Sequence, residues 1–186
     1  MSTLRTTNIQ HPDADEPNIV LAADGGVTAA GLVTGKVLQV VSVTKVDTFS
    51  TSSASFVDIT GLTVNITPSA TSSKILVLYK VSVCASAVGV AMYLQMLRGA
   101  TVIGGGTAAG SRGSAMSTFY DGTQAGATND LNGNFLDSPA SVAEQTYKLQ
   151  TKASSGAAQI NITNNDTDAF DFARLSSTIT VMEIGA

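Results

Sequence analysis

For most of its length this chain repeats apolar side chains at every second position, and this spacing restricts its fold more than any other feature. The clearest segment is KILVLYKVSV, in which Ile75, Val77 and Tyr79 alternate with Leu76 and Leu78. Successive side chains of a strand point to opposite faces of its sheet, so a period of two predicts strands rather than helices.

Further segments repeat this alternation between turns rich in Gly, Asn, Asp and Ser. They are VLQVVSV, SFVDIT, GLTVNIT, VAMYLQML, ATVIG, GNFLDS, TYKLQTK, AQINIT and STITVMEI. About eight to ten short strands of this kind predict an all-β sandwich or barrel, and we favour an antiparallel β-sandwich. Helical spacing is almost absent, and residues 140–145, after Ser138-Pro139, are the one candidate for a helical turn.

The opening of the chain differs from the rest. Residues 1–35 have no sustained apolar period, and Pro12 and Pro17 favour extended backbone before them. The segment NIVLAADGGV predicts one short strand and a turn. We therefore predict an extended N-terminal peptide over 1–35 and a β-sandwich domain over 36–186. A peptide without its own core is ordered by contacts with other chains, which offset about 1–2 kcal/mol of backbone entropy per residue.

Charge and composition exclude several classes of function. Charged residues make up 13% of the chain, with a net charge of −4, against roughly 25% in typical domains. Scattered basic residues argue against a nucleic-acid partner. The uncharged segment VSVCASAVGVAMYLQML is shorter than a typical membrane span and predicts two strands joined by a turn, so we expect no membrane insertion. Cys84 has no disulfide partner and is expected to be a small buried side chain.

No constellation of residues predicts catalysis, so we expect no enzyme, no cofactor and no catalytic metal. The segment GGGTAA at 104–109 fits a dinucleotide-binding fingerprint in letters only, because no helix or βαβ unit surrounds it. The single histidine, His11, has no carboxylate or nucleophile positioned beside it. Asp166 and Asp168 lie in NNDTDAFD, where a polar turn is the simpler interpretation and a Ca²⁺ site the alternative.

Two long irregular segments, 104–114 and 121–133, interrupt the regular scheme. Long loops in a compact β domain are often functional, so we predict that these contact a host surface or a neighbouring protein. The candidate receptor-facing residues are Gly106, Arg112, Tyr120, Gln124 and Asn129. Tyr120 is also the tyrosine best suited to stack on a sugar, since the chain has no Trp.

Several segments resemble tail-fibre-like and other virion structural proteins of marine tailed phages, especially cyanophages. The opening MSTLRTTNIQHPDADEPNIVLAADGGV is similar to their N-terminal peptide. The later segments SFVDITGLTVNITPSATSSKILV, YLQMLRGATVIGGGTA, NFLDSPASVAEQTYKLQTKASSG and STITVMEIGA are similar to the β-domain that follows it. The resemblance implies a virion component, a homotrimer with a jelly-roll head.

The resemblance also implies a division of labour along the chain. The N-terminal peptide attaches to other virion proteins, of the tail or of the capsid, and the β-domain projects outward as a fibre or spike, with a host surface glycan as a possible partner. The candidate anchoring residues are Asn8, Ile9, His11, Pro12, Asn18 and Ile19. Two alternatives stay open: a capsid-decorating head fibre or cement protein, and a monomeric carbohydrate-binding β-sandwich.

Overall fold

The computed structural model describes residues 8–9, 19–21, 27–29, 35–123, 125–163 and 166–185. Its strands are β1 (Asn8–Ile9), β2 (Ile19–Leu21), β3 (Val27–Ala29), β4 (Val37–Lys45), β5 (Phe49–Thr51), β6 (Val57–Ile66), β7 (Lys74–Ala85), β8 (Val90–Arg98), β9 (Thr101–Ile103), β10 (Ser117–Asp121), β11 (Thr128–Asp137), β12 (Gln145–Ala153), β13 (Ala158–Ile160) and β14 (Ser177–Ile184). No helix among the described residues is long and apolar enough to cross a membrane.

Two antiparallel sheets form a sandwich, as predicted. The six-stranded sheet has the order β4-β14-β7-β13-β5, with β11 on the other side of β7. The five-stranded sheet has the order β10-β8-β12-β6, and β9 also pairs with β8. The sheets approach each other where β4 lies beside β6 and where β10 lies beside β11.

The core lies between the two sheets and contains the apolar positions that alternation selects. Ile75, Val77 and Val81 of β7 are fully buried. The alternating apolar residues of the later segments TYKLQTK, AQINIT and STITVMEI are buried as well: Tyr147, Leu149, Ile160, Ile162, Ile179 and Val181. Cys84 is buried, as expected. The segment VSVCASAVGVAMYLQML forms parts of β7 and β8 with the turn between them.

Two segments predicted as separate strands are one strand. SFVDIT and GLTVNIT join in β6 through Gly61, whose φ of +84° is a conformation that side chains rarely adopt. The register of β12 on β6 shifts between Lys148 and Gln150, which marks a bulge at this level. A Cβ atom on Gly61 would also contact the buried side chain of Lys45 at 3.7 Å. Gly61 therefore marks a bulge within β6, where we had predicted a break between strands.

Three further local predictions were wrong. Residues 128–133, predicted as part of a loop, belong to β11 and pair along β7. Residues 140–145 form no helical turn, because Ala140 has φ of 49° and β12 starts at Gln145. The segment AQINIT is a strand only as far as Ile160, since Asn161 turns the chain with φ of 60°.

The described part of the N-terminal peptide forms a small sheet of its own. Its order is β1-β2-β3, in a three-stranded antiparallel sheet. We had predicted only the strand in NIVL, which is β2, and missed the two partners that pair with it. The boundary between peptide and domain at residue 35 stays a prediction.

Candidate functional site

The loop predicted at 104–114 folds back on itself over one edge of the five-stranded sheet. Its two arms are joined by a hydrogen bond from the Gly106 N–H to the Ala115 carbonyl at 3.1 Å. At the tip, Ala109 and Arg112 exchange backbone hydrogen bonds of 3.0 and 3.1 Å. Arg112 Nε also donates to the Ala109 carbonyl at 3.3 Å, so its guanidinium is held at the base of the tip.

Beneath this loop lies a cleft on the outer face of the five-stranded sheet, which we call the cationic cleft. Its volume is about 320 Å³. Its floor is formed by Tyr93 of β8 and Lys152 of β12, which are direct register partners. The remaining lining residues are Ala54, Ser111, Arg112, Gly113, Ser114, Ala153 and Ser154. Two cations and three serine hydroxyls thus line the cleft, and none of these described residues is acidic.

Aromatic rings hold the ammonium group of Lys152 in place. Its Nζ lies 4.8 Å from the centroid of the Phe56 ring and 5.1 Å from that of Tyr93. The negative face of a ring attracts a cation without neutralising it. The described partners of the Lys152 ammonium beside the cleft are therefore aromatic rings.

The neighbouring lysine of β12 is arranged differently. Lys148 Nζ binds the Asp58 carboxylate at 2.9 Å, and Gln150 Nε2 donates to the same carboxylate at 2.6 Å. These bonds lower the pKa of Asp58, with the Lys148 bond as the largest cause. The charge of Lys148 is thus matched by a carboxylate, whereas Lys152 has no carboxylate partner among the residues that the structure describes.

The structure separates the other predicted loop residues. Tyr120 lies in β10 rather than in a loop, yet its side chain is 64% exposed. Asn129 lies in β11 opposite Val83, so it belongs to an edge strand of the other sheet. Gly106 is exposed in the 104–114 loop, and Gln124 lies outside the described residues. Of the candidates that the structure describes, Arg112 alone lines the cationic cleft.

Sequence reasoning missed Tyr93 and Lys152, the floor of this cleft. Both occupy the outward positions of alternating strands, VAMYLQML and TYKLQTK. That alternation was visible, but the pairing of Tyr93 in β8 with Lys152 in β12, which lie far apart in the sequence, was not. The local signal was a Lys on an outward strand position, which Lys148 shares.

The candidate anchoring residues are only partly described. Asn8 and Ile9 of β1 pair with Val20 and Ile19 of β2. The Ile9 side chain is 46% exposed. His11, Pro12 and Asn18 lie outside the described residues, so their predicted role is untested.

The outer face of the six-stranded sheet carries four apolar side chains in register, which we call the apolar row. Met182 of β14 lies between Val40 of β4 and Leu76 of β7, and Leu76 in turn faces Leu136 of β11. Val40 is 54% exposed and Leu136 51%. Side chains of this kind on neighbouring strands form one continuous apolar surface.

The start of β4 lies beside the apolar row. The Gly35 N–H donates to the Gly185 carbonyl at 2.9 Å, and the Gly185 N–H donates to the Lys36 carbonyl at 2.8 Å. Leu38, which is 48% exposed, packs against Gly185 and extends the apolar surface. The start of β4 thus joins the peptide, the C-terminal strand and the apolar row.

Asp166 and Asp168, the alternative Ca²⁺ site, occupy another surface. Asp166 binds the guanidinium of Arg174 at 2.7 Å, so a cation already occupies its carboxylate. Among the described residues no group of three or more His, Cys, Asp or Glu side chains is arranged to hold a metal ion.

Comparisons with known proteins find similarity in structure alone. No protein-family model and no curated protein matches the chain. The structure of the Gt strain of infectious bursal disease virus is similar with a TM-score of 0.42 and 16% identity, over 89% of this chain and 46% of that one. T=1 particles of a mutant VP2 protein of the same virus are similar with a TM-score of 0.41 and 16% identity, over 92% of this chain and 41% of that one. The structure of the Gx strain is similar with a TM-score of 0.40 and 16% identity, over 80% of this chain and 37% of that one. The chain therefore spans less than half of these structures' chains.

Proposed function

We propose that this chain is a non-enzymatic structural subunit of a virus particle. In this proposal its β-domain is a jelly roll that assembles as a homotrimer and projects from the particle as a fibre or spike. The N-terminal peptide attaches it to other virion proteins. The observation that carries the proposal is the apolar row, because a surface of this kind indicates assembly with further chains.

The order of the strands supports a jelly roll. Strands β4-β14-β7-β11 form one four-stranded set, and β6-β12-β8-β10 form the set facing it. Consecutive strands from β6 to β8 and from β10 to β12 alternate between the two sets. Eight strands wound in this way make the two Greek keys of a jelly roll, and β5, β9 and β13 are short additions.

Sister copies of the chain are the occupants that suit the apolar row. Apolar side chains extend across four neighbouring strands, from Val40 to Leu136. Charges at one side of this face cancel, since Lys80 lies 3.4 Å from Asp130. At the other side, Lys74 donates to the Ser138 hydroxyl at 3.0 Å. A net charge of −4 therefore does not concentrate here to repel a second copy.

The resemblance of the N-terminal segment TNIQHP and of the β-domain to virion proteins of marine tailed phages supports the particle assignment. The junction of peptide and domain lies beside the apolar row. In a trimer this position of the junction would bring three peptides together at one end, where they can bind a common partner. A capsid-decorating subunit would use the same geometry. The position of the chain on the particle, on the tail or on the capsid, therefore distinguishes a fibre from a decoration protein.

The trimer is tested by light scattering on the full chain at micromolar concentration. We expect the mass of three chains for the wild type and of one chain for a Val40→Glu, Leu136→Lys double variant. A Thr44→Glu, Asn132→Lys double variant, which changes the same outer face away from the row, should stay trimeric. A monomeric wild type would overturn the trimer, and a trimeric row variant would overturn its placement.

Attachment is tested on particles. A protein lacking residues 1–35 should still form trimers but should not bind particles depleted of the native subunit. Cryo-electron microscopy of intact particles should place the β-domain outside the tail or the capsid. Binding that survives the deletion would contradict the anchoring role of the peptide.

A further inference from the structure

We propose that the cationic cleft binds an acidic saccharide, a sugar chain that carries carboxylate or sulfate groups. This inference rests on the proposed function, since it names what a projecting domain contacts on a host surface. The cleft itself is complete within one chain. It is formed by β8, β12 and the 104–114 loop.

The charge inventory of the domain singles out this cleft. Most cations of the described residues are matched by a carboxylate within 3.4 Å: Lys45, Lys80, Arg98, Lys148 and Arg174. Lys36, Lys74, Arg112 and Lys152 have no ion-pair partner among the described residues, and of these four Arg112 and Lys152 line one cleft together. In an acidic protein, two unmatched cations that share one cleft indicate an anionic ligand.

Both cations are held in position before any ligand arrives. The rings of Phe56 and Tyr93 flank the Lys152 ammonium. The Arg112 Nε donates to the Ala109 carbonyl at 3.3 Å, which restricts this exposed side chain. Because little side-chain freedom is left to lose, binding an anion here costs less entropy than at free surface lysines. Arginine also presents two parallel donors, which suit a planar carboxylate or a sulfate.

The surroundings favour a saccharide over a bare inorganic anion. Ser111, Ser114 and Ser154 supply hydroxyls along the walls. On the same outer face, Tyr120 of β10 lies opposite Ala91, two positions along β8 from Tyr93. Two positions along a strand span about 7 Å, roughly one sugar ring. The exposed Tyr120 ring is therefore placed to stack on the sugar next to the one that carries the acid.

The chain also offers a matched control. Lys148 lies on the same face of the same strand as Lys152, but its charge is matched by Asp58. Replacing the lysine at either position by an uncharged residue removes one positive charge from β12. Only the substitution at Lys152 takes it from the cleft.

The test measures binding to the full-length protein by titration calorimetry at low salt. The probes are a hexagalacturonate, its fully methyl-esterified form, a sulfated hexasaccharide and inorganic sulfate. We expect the wild type to bind one or both acidic oligosaccharides. It should bind the neutral ester and inorganic sulfate at least about tenfold more weakly. The Lys152→Gln, Arg112→Gln double variant should lose at least about tenfold in affinity. Lys152→Gln alone should lose more than its matched control Lys148→Gln, which should lose less than about twofold.

A Tyr120→Ala variant separates sugar from anion, because it should weaken the oligosaccharide and leave inorganic sulfate unchanged. Unfolding midpoints within a few degrees of the wild type confirm that each variant is folded. Equal binding of the acid and its ester, unchanged binding by the double variant, sulfate as tight as the saccharide, or no binding at millimolar probe would each overturn the inference. Light scattering on the same samples keeps the two proposals apart: trimers without binding contradict only this inference, and binding by monomers contradicts only the trimer.

Discussion

Arg98 of β8 and Asp137, the last residue of β11, form an ion pair at 2.7 Å that joins the two sheets of the sandwich. The Tyr147 hydroxyl of β12 donates to the same carboxylate oxygen at 2.7 Å. Burial, and then the hydrogen bond to Asp137, raise the pKa of Tyr147, so this hydroxyl stays a donor. Asp137 is 7% exposed and Tyr147 fully buried, which makes this a buried link between sheets.

We expect Asp137→Asn to destabilise the domain by about 2–3 kcal/mol, because Arg98 would lose its counter-charge in a mostly buried position. Chemical denaturation measures the loss. Asp58→Asn, at the exposed ion pair with Lys148, should cost no more than about 1 kcal/mol. Equal losses in the two variants would show that burial adds nothing to the Arg98 pair.

Acid should weaken the domain through Glu183. This carboxylate is 1% exposed. It accepts hydrogen bonds of 2.6 to 2.7 Å from Gln39 and from the backbone and hydroxyl of Ser69. Burial alone raises the pKa of Glu183, but the bonds from Ser69, Gln39 and Ser73 outweigh it and lower the pKa to about 2.

Because the folded-state pKa lies below the ordinary value of 4.5, the stabilisation by Glu183 is complete above pH 4.5 and is lost as pH falls toward about 2. We expect a loss of about 1–2 kcal/mol, since the cluster lies near exposed residues of the β6–β7 loop, where water screens it. Unfolding at pH 7, 4 and 2.5 measures it. Glu183→Gln should flatten this pH dependence, whereas Glu144→Gln, at an exposed carboxylate, should leave it unchanged.

A side chain at position 104 should destabilise the domain, whereas a side chain at position 106 should have little effect on its stability. Gly104 has φ of +68°, and a Cβ there would overlap Met116 and press on Phe135 at 3.1 Å. A Cβ on Gly106 would meet nothing closer than the Ala115 carbonyl at 3.8 Å. We expect Gly104→Ala to cost about 1–3 kcal/mol and Gly106→Ala less than about 0.5 kcal/mol in thermal unfolding. The reverse ranking would contradict the folded-back path of the loop.

Asn161 should be indispensable to the corner between β4 and β13. It is fully buried. Its amide donates to the carbonyls of Lys45 and Asp47 at 3.0 and 2.9 Å, and its oxygen accepts from the Ser177 hydroxyl at 2.7 Å. We expect Asn161→Ala to cost about 2–4 kcal/mol, because several buried groups lose partners and Ala is strained at φ of 60°.

The control for Asn161 is Asn65, which shares the pattern Asn-Ile-Thr but is exposed on β6. Asn65→Ala should change stability by less than about 0.5 kcal/mol. Equilibrium denaturation of the two variants side by side gives the comparison. A mild effect at Asn161 would mean that water replaces its bonds at this corner.

Local alternation alone was enough to predict the all-β class and the buried face of most strands. A strand side chain can point to only two faces of its sheet. A row of apolar residues such as Ile75 and Val77, in a segment bounded by polar turns, therefore indicates the face that is buried. The same segment placed Leu76 and Leu78 on the opposite face. The sequence did not show that this face is the outer one, or that Met182, Val40 and Leu136 lie beside Leu76 on it.

The tertiary structure alone decided how distant strands meet. Tyr93 and Lys152 become neighbours only through the pairing of β8 with β12, and Arg98 meets Asp137 only where the sheets touch. The fate of Asn129, in a strand rather than a loop, was also decided by pairing along β7. Strand pairing depends on packing over the whole sandwich, which a window of neighbouring residues does not contain. The sequence therefore determined which side chains face inward, and the structure determined which outward side chains form a site.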